Sequence, residues 1–231
     1  MPDGSVTTTV FVHGSGLGGA DGWPVQVAAA EPTWQFMSRH PDGDLAERDA
    51  SRIIELLADC GGAGNVVASS YGGNAGVLAL QRRPDLVAAL VLAEPATFDL
   101  ARGAAAVEEH ITAMQPAALA AGDPAVSDRE WSDLFAAGFG REPLDDGQLA
   151  VLAPRMRPLP PPWSTGIDAS RGLPGRCLVV TGGSGPLFEQ TAEALERLGA
   201  SRLVLPGAGH RVQDDPAFNA AVTEFVAGSA G

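Results

Sequence analysis

Apolar residues recur along this chain in short, nearly continuous blocks at residues 6–12, 34–37, 65–69, 86–93, 177–181 and 202–205. Blocks this short between polar or glycine-bearing breaks predict strands buried on both faces. The stretches at 44–59, 71–83, 187–198 and 215–226 instead carry apolar positions at helical spacing. Their ends agree with that reading: Asp44 and Glu47 make a capping-box pattern, and Asp215 precedes Pro216 as a helix start. Alternating strands and helices predict an α/β fold with a mostly parallel sheet, right-handed crossovers and helices on both faces.

Between Pro95 and about Gly175 the alternation stops, and amphipathic helical pieces take over, one of them opening on a capping-box pattern from Ser127 to Glu130. The expected organisation is therefore a core formed by residues 1–95 and 176–231, with a helical cap at 96–175. The proline-rich run at 158–163 cannot continue a helix and predicts a stiff, extended return connector.

Composition narrows the function. The 231 residues carry a formal charge of −13, from 28 acidic and 15 basic residues. No stretch gathers the arginines into a phosphate-tracking patch, so nucleic acid is not an expected partner. All 15 basic residues are arginine. The absence of lysine excludes Schiff-base chemistry, a Walker-type loop and a Tyr-Lys reductase pair. Cys60 and Cys177 alone make neither a disulfide framework nor a zinc cluster, which points to a reducing, cytoplasmic setting. No export signal and no apolar run of about 18 residues is found, so no membrane association is expected. No metal and no organic cofactor is expected.

The segment 66–73 joins a predicted strand directly to a predicted helix, with Ala68 and Gly72 two residues either side of Ser70. This is a nucleophile elbow, in which the residues at plus and minus two must be small because strand and helix backbones converge there. Ser69 would be flanked by Val67 and Tyr71 and does not fit. Ala68 departs by one methyl from the usual Gly-x-Ser-x-Gly, and a serine that merely caps the next helix is the bland alternative.

After the first strand, His13-Gly14-Ser15-Gly16-Leu17-Gly18-Gly19 forms a glycine-rich loop suited to an oxyanion hole, with the amides of Ser15 and Tyr71 as donors and Gly14 and Gly16 beside the substrate. His13 supports the loop. The spacing Gly14-x-Gly16-x-x-Gly19 also satisfies a dinucleotide fingerprint, which leaves a nicotinamide oxidoreductase as an alternative; Pro24, in the helix that should follow, argues against it. His210 ends the small-residue loop 206–209 just before the last helix and is the expected general base, whereas His40 and His110 have no comparable setting.

Taken together, His13-Gly14-Ser15-Gly16, the elbow at 68–73 and Gly207-Ala208-Gly209-His210 resemble the α/β-hydrolase superfamily over essentially the whole chain. The family's first strands have no counterpart here. Many members carry an aspartate after the strand corresponding to 177–181. Here that loop reads Gly182-Gly183-Ser184-Gly185-Pro186, and Glu189 beyond it is expected on a helix, facing solvent. Glu94 ends the strand that follows the elbow helix, 24 residues past Ser70. The arrangement is similar to that of zearalenone-lactonase-like enzymes and of the haloalkane-dehalogenase and coelenterazine-luciferase group. The resemblance implies a Ser70-His210-Glu94 triad, with water or Ser184 orienting His210 as the alternative.

The implied reaction is hydrolysis of an ester or lactone of a small, largely apolar substrate through an acyl-enzyme. Epoxide hydrolases and dehalogenases of this fold use aspartate at the elbow, so serine points away from them. Met114, Trp131, Leu134, Phe135, Phe139, Met156 and Trp163 of the cap are the candidates for shaping the pocket, with Trp131, Phe135 and Trp163 foremost. A lyase or cyclase working by proton transfer, and a ligand-binding receptor, remain the alternatives. Oligomeric state is open.

Overall fold

The computed structural model describes residues 7–16, 18–38 and 45–228. Six strands form one sheet: β1 (Thr9–Val12), β2 (Trp34–Met37), β3 (Gly64–Ser69), β4 (Val87–Ala93), β5 (Cys177–Thr181) and β6 (Ser201–Val204). They lie in the order β2-β1-β3-β4-β5-β6, and every neighbouring pair is parallel. The central strands are almost wholly buried and the edge strands only partly so, as expected for a sheet covered on both faces.

On one face, α2 (Leu45–Asp59), α3 (Gly72–Arg82) and α7 (Pro186–Arg197) bury Ile53, Leu57, Leu80 and Leu195 against Val10, Val66, Leu90 and Val179. On the other, the short α1 (Pro24–Ala28) and α8 (Pro216–Ala227) close over Phe11, Val67, Val91 and Val180, with Trp23, Phe218 and Val222 packed between. Asp215 caps α8 by accepting from the Ala217 amide, with Pro216 in the first turn, as its sequence predicts. Asp44, the expected cap of α2, lies outside the described residues, as does His40.

Between β4 and β5 run α4 (Ala105–Ala121), α5 (Asp128–Gly138) and α6 (Asp146–Met156). Ser127 and Glu130 form the expected reciprocal capping box on α5, and Asp145 with Gln148 forms a second one on α6. Arg157 binds the three helices together. Its guanidinium donates to Asp128 and to the carbonyls of Ala120, Ala121, Asp123 and Val126, satisfying orphan acceptors at the end of α4.

Two expectations change. The run 158–163 is not a straight extended connector but bends through turns closed by Leu159 N to Met156 O and Ser164 N to Pro161 O. Proline's fixed φ suits turns as well as extended chain, and the hydroxyl of Tyr71 donates to the Pro160 carbonyl in the middle of the run at 2.9 Å. Glu189 does not face solvent freely: on α7 it pairs with Arg202 of β6, which also holds Glu196.

Candidate active site

Strands β3 and β4 end in register, Ser69 opposite Ala93, and the next residue on each is Ser70 and Glu94. Both have positive φ, 49° for Ser70 and 44° for Glu94, and they are the only described non-glycine residues that do. A side chain in this conformation costs of order 1–3 kcal/mol and persists only where surrounding contacts impose it. At Ser70 they are explicit: its amide donates to Ala93 O, and its carbonyl accepts from Gly73 and Ala96. Glu94 donates its amide to Val180 O on the next strand.

The elbow leaves no space at plus two. A Cβ on Gly72 would stand 2.5 Å from the His13 carbonyl oxygen and 2.8 Å from that of Val12. At minus two, the Ala68 methyl faces Gly76 of α3, where an added Cβ would lie 3.4 Å from that methyl and 2.9 Å from Leu90 Cδ1.

His210 reaches the same edge from the loop after β6. It follows Gly209, whose amide donates to Gly182 O, pinning this loop against the end of β5. His210 Nε2 lies 3.1 Å from Ser70 Oγ, and the face of Phe188 packs 4.5 Å from the imidazole, centroid to centroid. Behind the ring, His210 Nδ1 is 3.7 Å from Glu94 Oε2. Glu94 is fully buried and anchored by the Gly182 amide at 2.5 Å and by the Ser184 hydroxyl. Burial pushes its carboxyl upward, but the imidazole of His210 facing it and the bonds from Ser184 and Gly182 outweigh that and hold it below its usual value. Ser184 therefore serves Glu94, not His210.

The loop after β1 completes the floor. His13, almost wholly buried, donates from Nδ1 to the Gly14 carbonyl at 2.6 Å, in keeping with a supporting part. Gly14 packs so closely on the elbow that a Cβ there would lie 3.2 Å from that of Ser70. Gly14, Ser15, Gly16 and Tyr71 line the same cavity as Ser70 and His210, which encloses 580 Å³. The loop runs into a 3-10 turn at Gly19–Gly22 and then into the five-residue α1, so no long helix offers its N-terminus to a pyrophosphate. Among the described residues no group of three or more His, Cys, Asp or Glu is placed to hold a metal.

The roof is apolar. Trp131, Phe135 and Trp163 line it, as do Met114, Phe139 and Met156; Leu134 does not, and is partly exposed on the outside of α5. Two roof residues escape sequence reasoning. His110 on α4 faces the cavity, its ring against Phe98, Phe139 and Trp163, and burial lowers its pKa. Arg141, after α5, stands over the rings of Phe135 and Phe139. Neither lies near a motif; only the packing of α4 and α5 brings them over Ser70.

No described helix is long and apolar enough to cross a membrane. A search of curated proteins finds no match. Among solved structures the chain is similar to NosK from Streptomyces actuosus, at 23% identity over 98% of this chain and 100% of that one, with a TM-score of 0.64. It is similar to the meta-cleavage product hydrolase of Pseudomonas fluorescens IP01, at 18% identity over 97% and 92% of the two chains and a TM-score of 0.62. A structure reported among epoxide hydrolases from hot-environment metagenomes aligns at 16% identity over 98% and 91%, with a TM-score of 0.64. At these identities the likeness is one of fold. The sequence itself matches the model of the alpha/beta hydrolase family over residues 9–222, nearly its whole length, and the chain belongs to that family.

Proposed function

We propose that the protein is a serine hydrolase of carboxylic esters or lactones, working through Ser70, His210 and Glu94. The observation that carries this reading is the 3.1 Å separation of Ser70 Oγ and His210 Nε2 at the floor of an apolar cavity, with a buried carboxylate behind the imidazole. Ser70 Oγ attacks the carbonyl carbon while its proton passes to His210 Nε2. The amides of Ser15 and Tyr71 receive the oxyanion, and loss of one such donor typically costs about 10²- to 10³-fold in rate. As the intermediate collapses, the carbon–oxygen bond to the leaving group breaks and His210 returns the proton to the departing oxygen. A water deprotonated by His210 then releases the acid and restores Ser70. Glu94 keeps the imidazole in the right tautomer and offsets its positive charge.

Serine rather than carboxylate at the elbow separates this chemistry from the epoxide opening named for one structural relative. We also read the unpaired Cys60 and Cys177 as fitting a reducing cytoplasmic compartment. The test is a fluorophosphonate probe with peptide mass spectrometry. Labelling of Ser70 that disappears in His210→Ala is expected; a folded protein whose Ser70 stays unlabelled sinks the reading and favours proton-transfer chemistry without an acyl-enzyme.

A further inference from the structure

The cavity inverts the charge of the chain. The protein carries 28 acidic residues against 15 basic ones, yet three arginines, Arg141, Arg157 and Arg211, line the cavity, and among the described residues no aspartate or glutamate does. Glu94, the nearest site carboxylate, is sealed behind His210 with no exposed surface.

The three guanidiniums are not equivalent. Arg157 is consumed by Asp128 and four carbonyls, and Arg211 is paired through two nitrogens with Asp214. Arg141 forms no ion pair and no side-chain hydrogen bond with any described residue. Its contacts are the ring faces of Phe135, 5.2 Å from guanidinium carbon to centroid, and Phe139, 5.0 Å. Contact with aromatic faces holds the cation but uses none of its N–H groups, which point outward in the guanidinium plane. Arg141 is exposed as a whole at the cavity rim, and the desolvation of the part packed on the rings lowers its pKa. His110 also meets the Phe139 ring, at 5.0 Å between centroids, and its burial disfavours the protonated form, whereas Arg141 keeps its charge and supplies that of this corner.

We propose that Arg141 is a substrate-recognition residue and that the substrate is an ester or lactone whose apolar body also bears a free carboxylate. One unengaged guanidinium fork matches the two oxygens and single charge of a carboxylate. Phe135, Phe139, Trp131 and Trp163 supply the apolar surroundings for the body between that group and the scissile bond. The pattern is invisible along the chain, where the arginines are dispersed; it exists only because α4–α6 fold over the sheet edge.

The identity of the bond cleaved rests on the serine-hydrolase reading, but carboxylate recognition does not, and the test uses ligands that cannot turn over. Calorimetric titration of the wild-type protein with 4-phenylbutyrate and with its uncharged analogue 4-phenylbutyramide compares the charge alone. The carboxylate is expected to bind at least about tenfold tighter, the preference vanishing in Arg141→Gln and returning in part in Arg141→Lys, which keeps the charge but not the fork. Equal affinity for the two ligands, no detectable carboxylate binding, or a preference that survives in Arg141→Gln and is lost in Arg211→Gln overturns the assignment. None of these outcomes depends on whether Ser70 takes the fluorophosphonate.

Discussion

The floor and the roof of the cavity are built on different principles. On the floor, Ser70 and Glu94 follow the adjacent strands β3 and β4 and His210 lies in the loop after β6, in positions set by backbone register and by backbone-to-backbone hydrogen bonds. Contacts below 3 Å to the missing Cβ atoms of Gly72 and Gly182 show how little the main chain there can move. The roof is held by side chains: Arg157 across the helix ends, two capping boxes, and a small cluster of Ala120, Trp131 and Ala153. It also leaves Leu119, Val151 and Phe139 exposed. The difference teaches where each property resides. On the proposed reading, chemistry sits on main-chain geometry, which tolerates almost no substitution, whereas selectivity sits on side-chain packing, which can be rewritten residue by residue.

The largest effect expected of the floor is in Glu94→Gln. Shape is retained but the charge behind His210 is lost, and kcat for ester hydrolysis should fall by about 10²- to 10⁴-fold with KM little changed. Near-wild-type turnover in this variant would remove Glu94 from the triad. The same carboxylate makes a pH signature. Its folded pKa lies below the ordinary 4.5, so its stabilising contribution is complete above that value and is lost as pH falls through the lower folded value. Urea denaturation from neutral pH to below 4.5 should show the wild type losing its advantage over Glu94→Gln as the medium becomes acidic.

A smaller loss is expected from Gly72→Ala, which presses a methyl onto two carbonyl oxygens of the β1 end. It should cost about 1–3 kcal/mol in urea denaturation and lower kcat by displacing Ser70. Unchanged stability would show the floor to be more pliant than the contrast with the roof allows. The mildest effect belongs to the roof. Phe139→Leu removes one of the two rings beneath Arg141 at a site already 43% exposed. Stability should stay within about 0.5 kcal/mol, while KM for aromatic esters rises by about three- to tenfold and kcat holds. A fall in kcat instead would mean that roof and floor are coupled.

Much of the floor is legible along the chain because each of its parts is local. The elbow, the glycine loop and the His210 turn are runs of a few residues attached to strands whose apolar blocks mark them. Glu94 comes into view only through the resemblance to relatives that place the acid after the earlier strand, since the loop at Gly182 and Gly183 holds no carboxylate. What sequence cannot convey is the approach of Ala68 to Gly76, which belong to different elements. The roof is harder to read for the same reason. The helix with Ser127 at its cap announces itself, but α4 and α6 carry Pro116 and Pro154 inside them, residues that normally argue for a helix end. His110, unremarkable among its neighbours, matters because Phe98, Phe139 and Trp163 converge on it from three segments.

The glycine that follows β5 also bears on the engineering of this site. A Cβ on Gly182 would fall 2.1 Å from the carbonyl oxygen of Gly209, inside the loop that carries His210. No side chain fits there while that loop keeps its place, so an aspartate cannot be introduced at residue 182 by a single substitution without displacing His210. Any design that moves a carboxylate to the end of this strand must rebuild residues 205–210 in the same step.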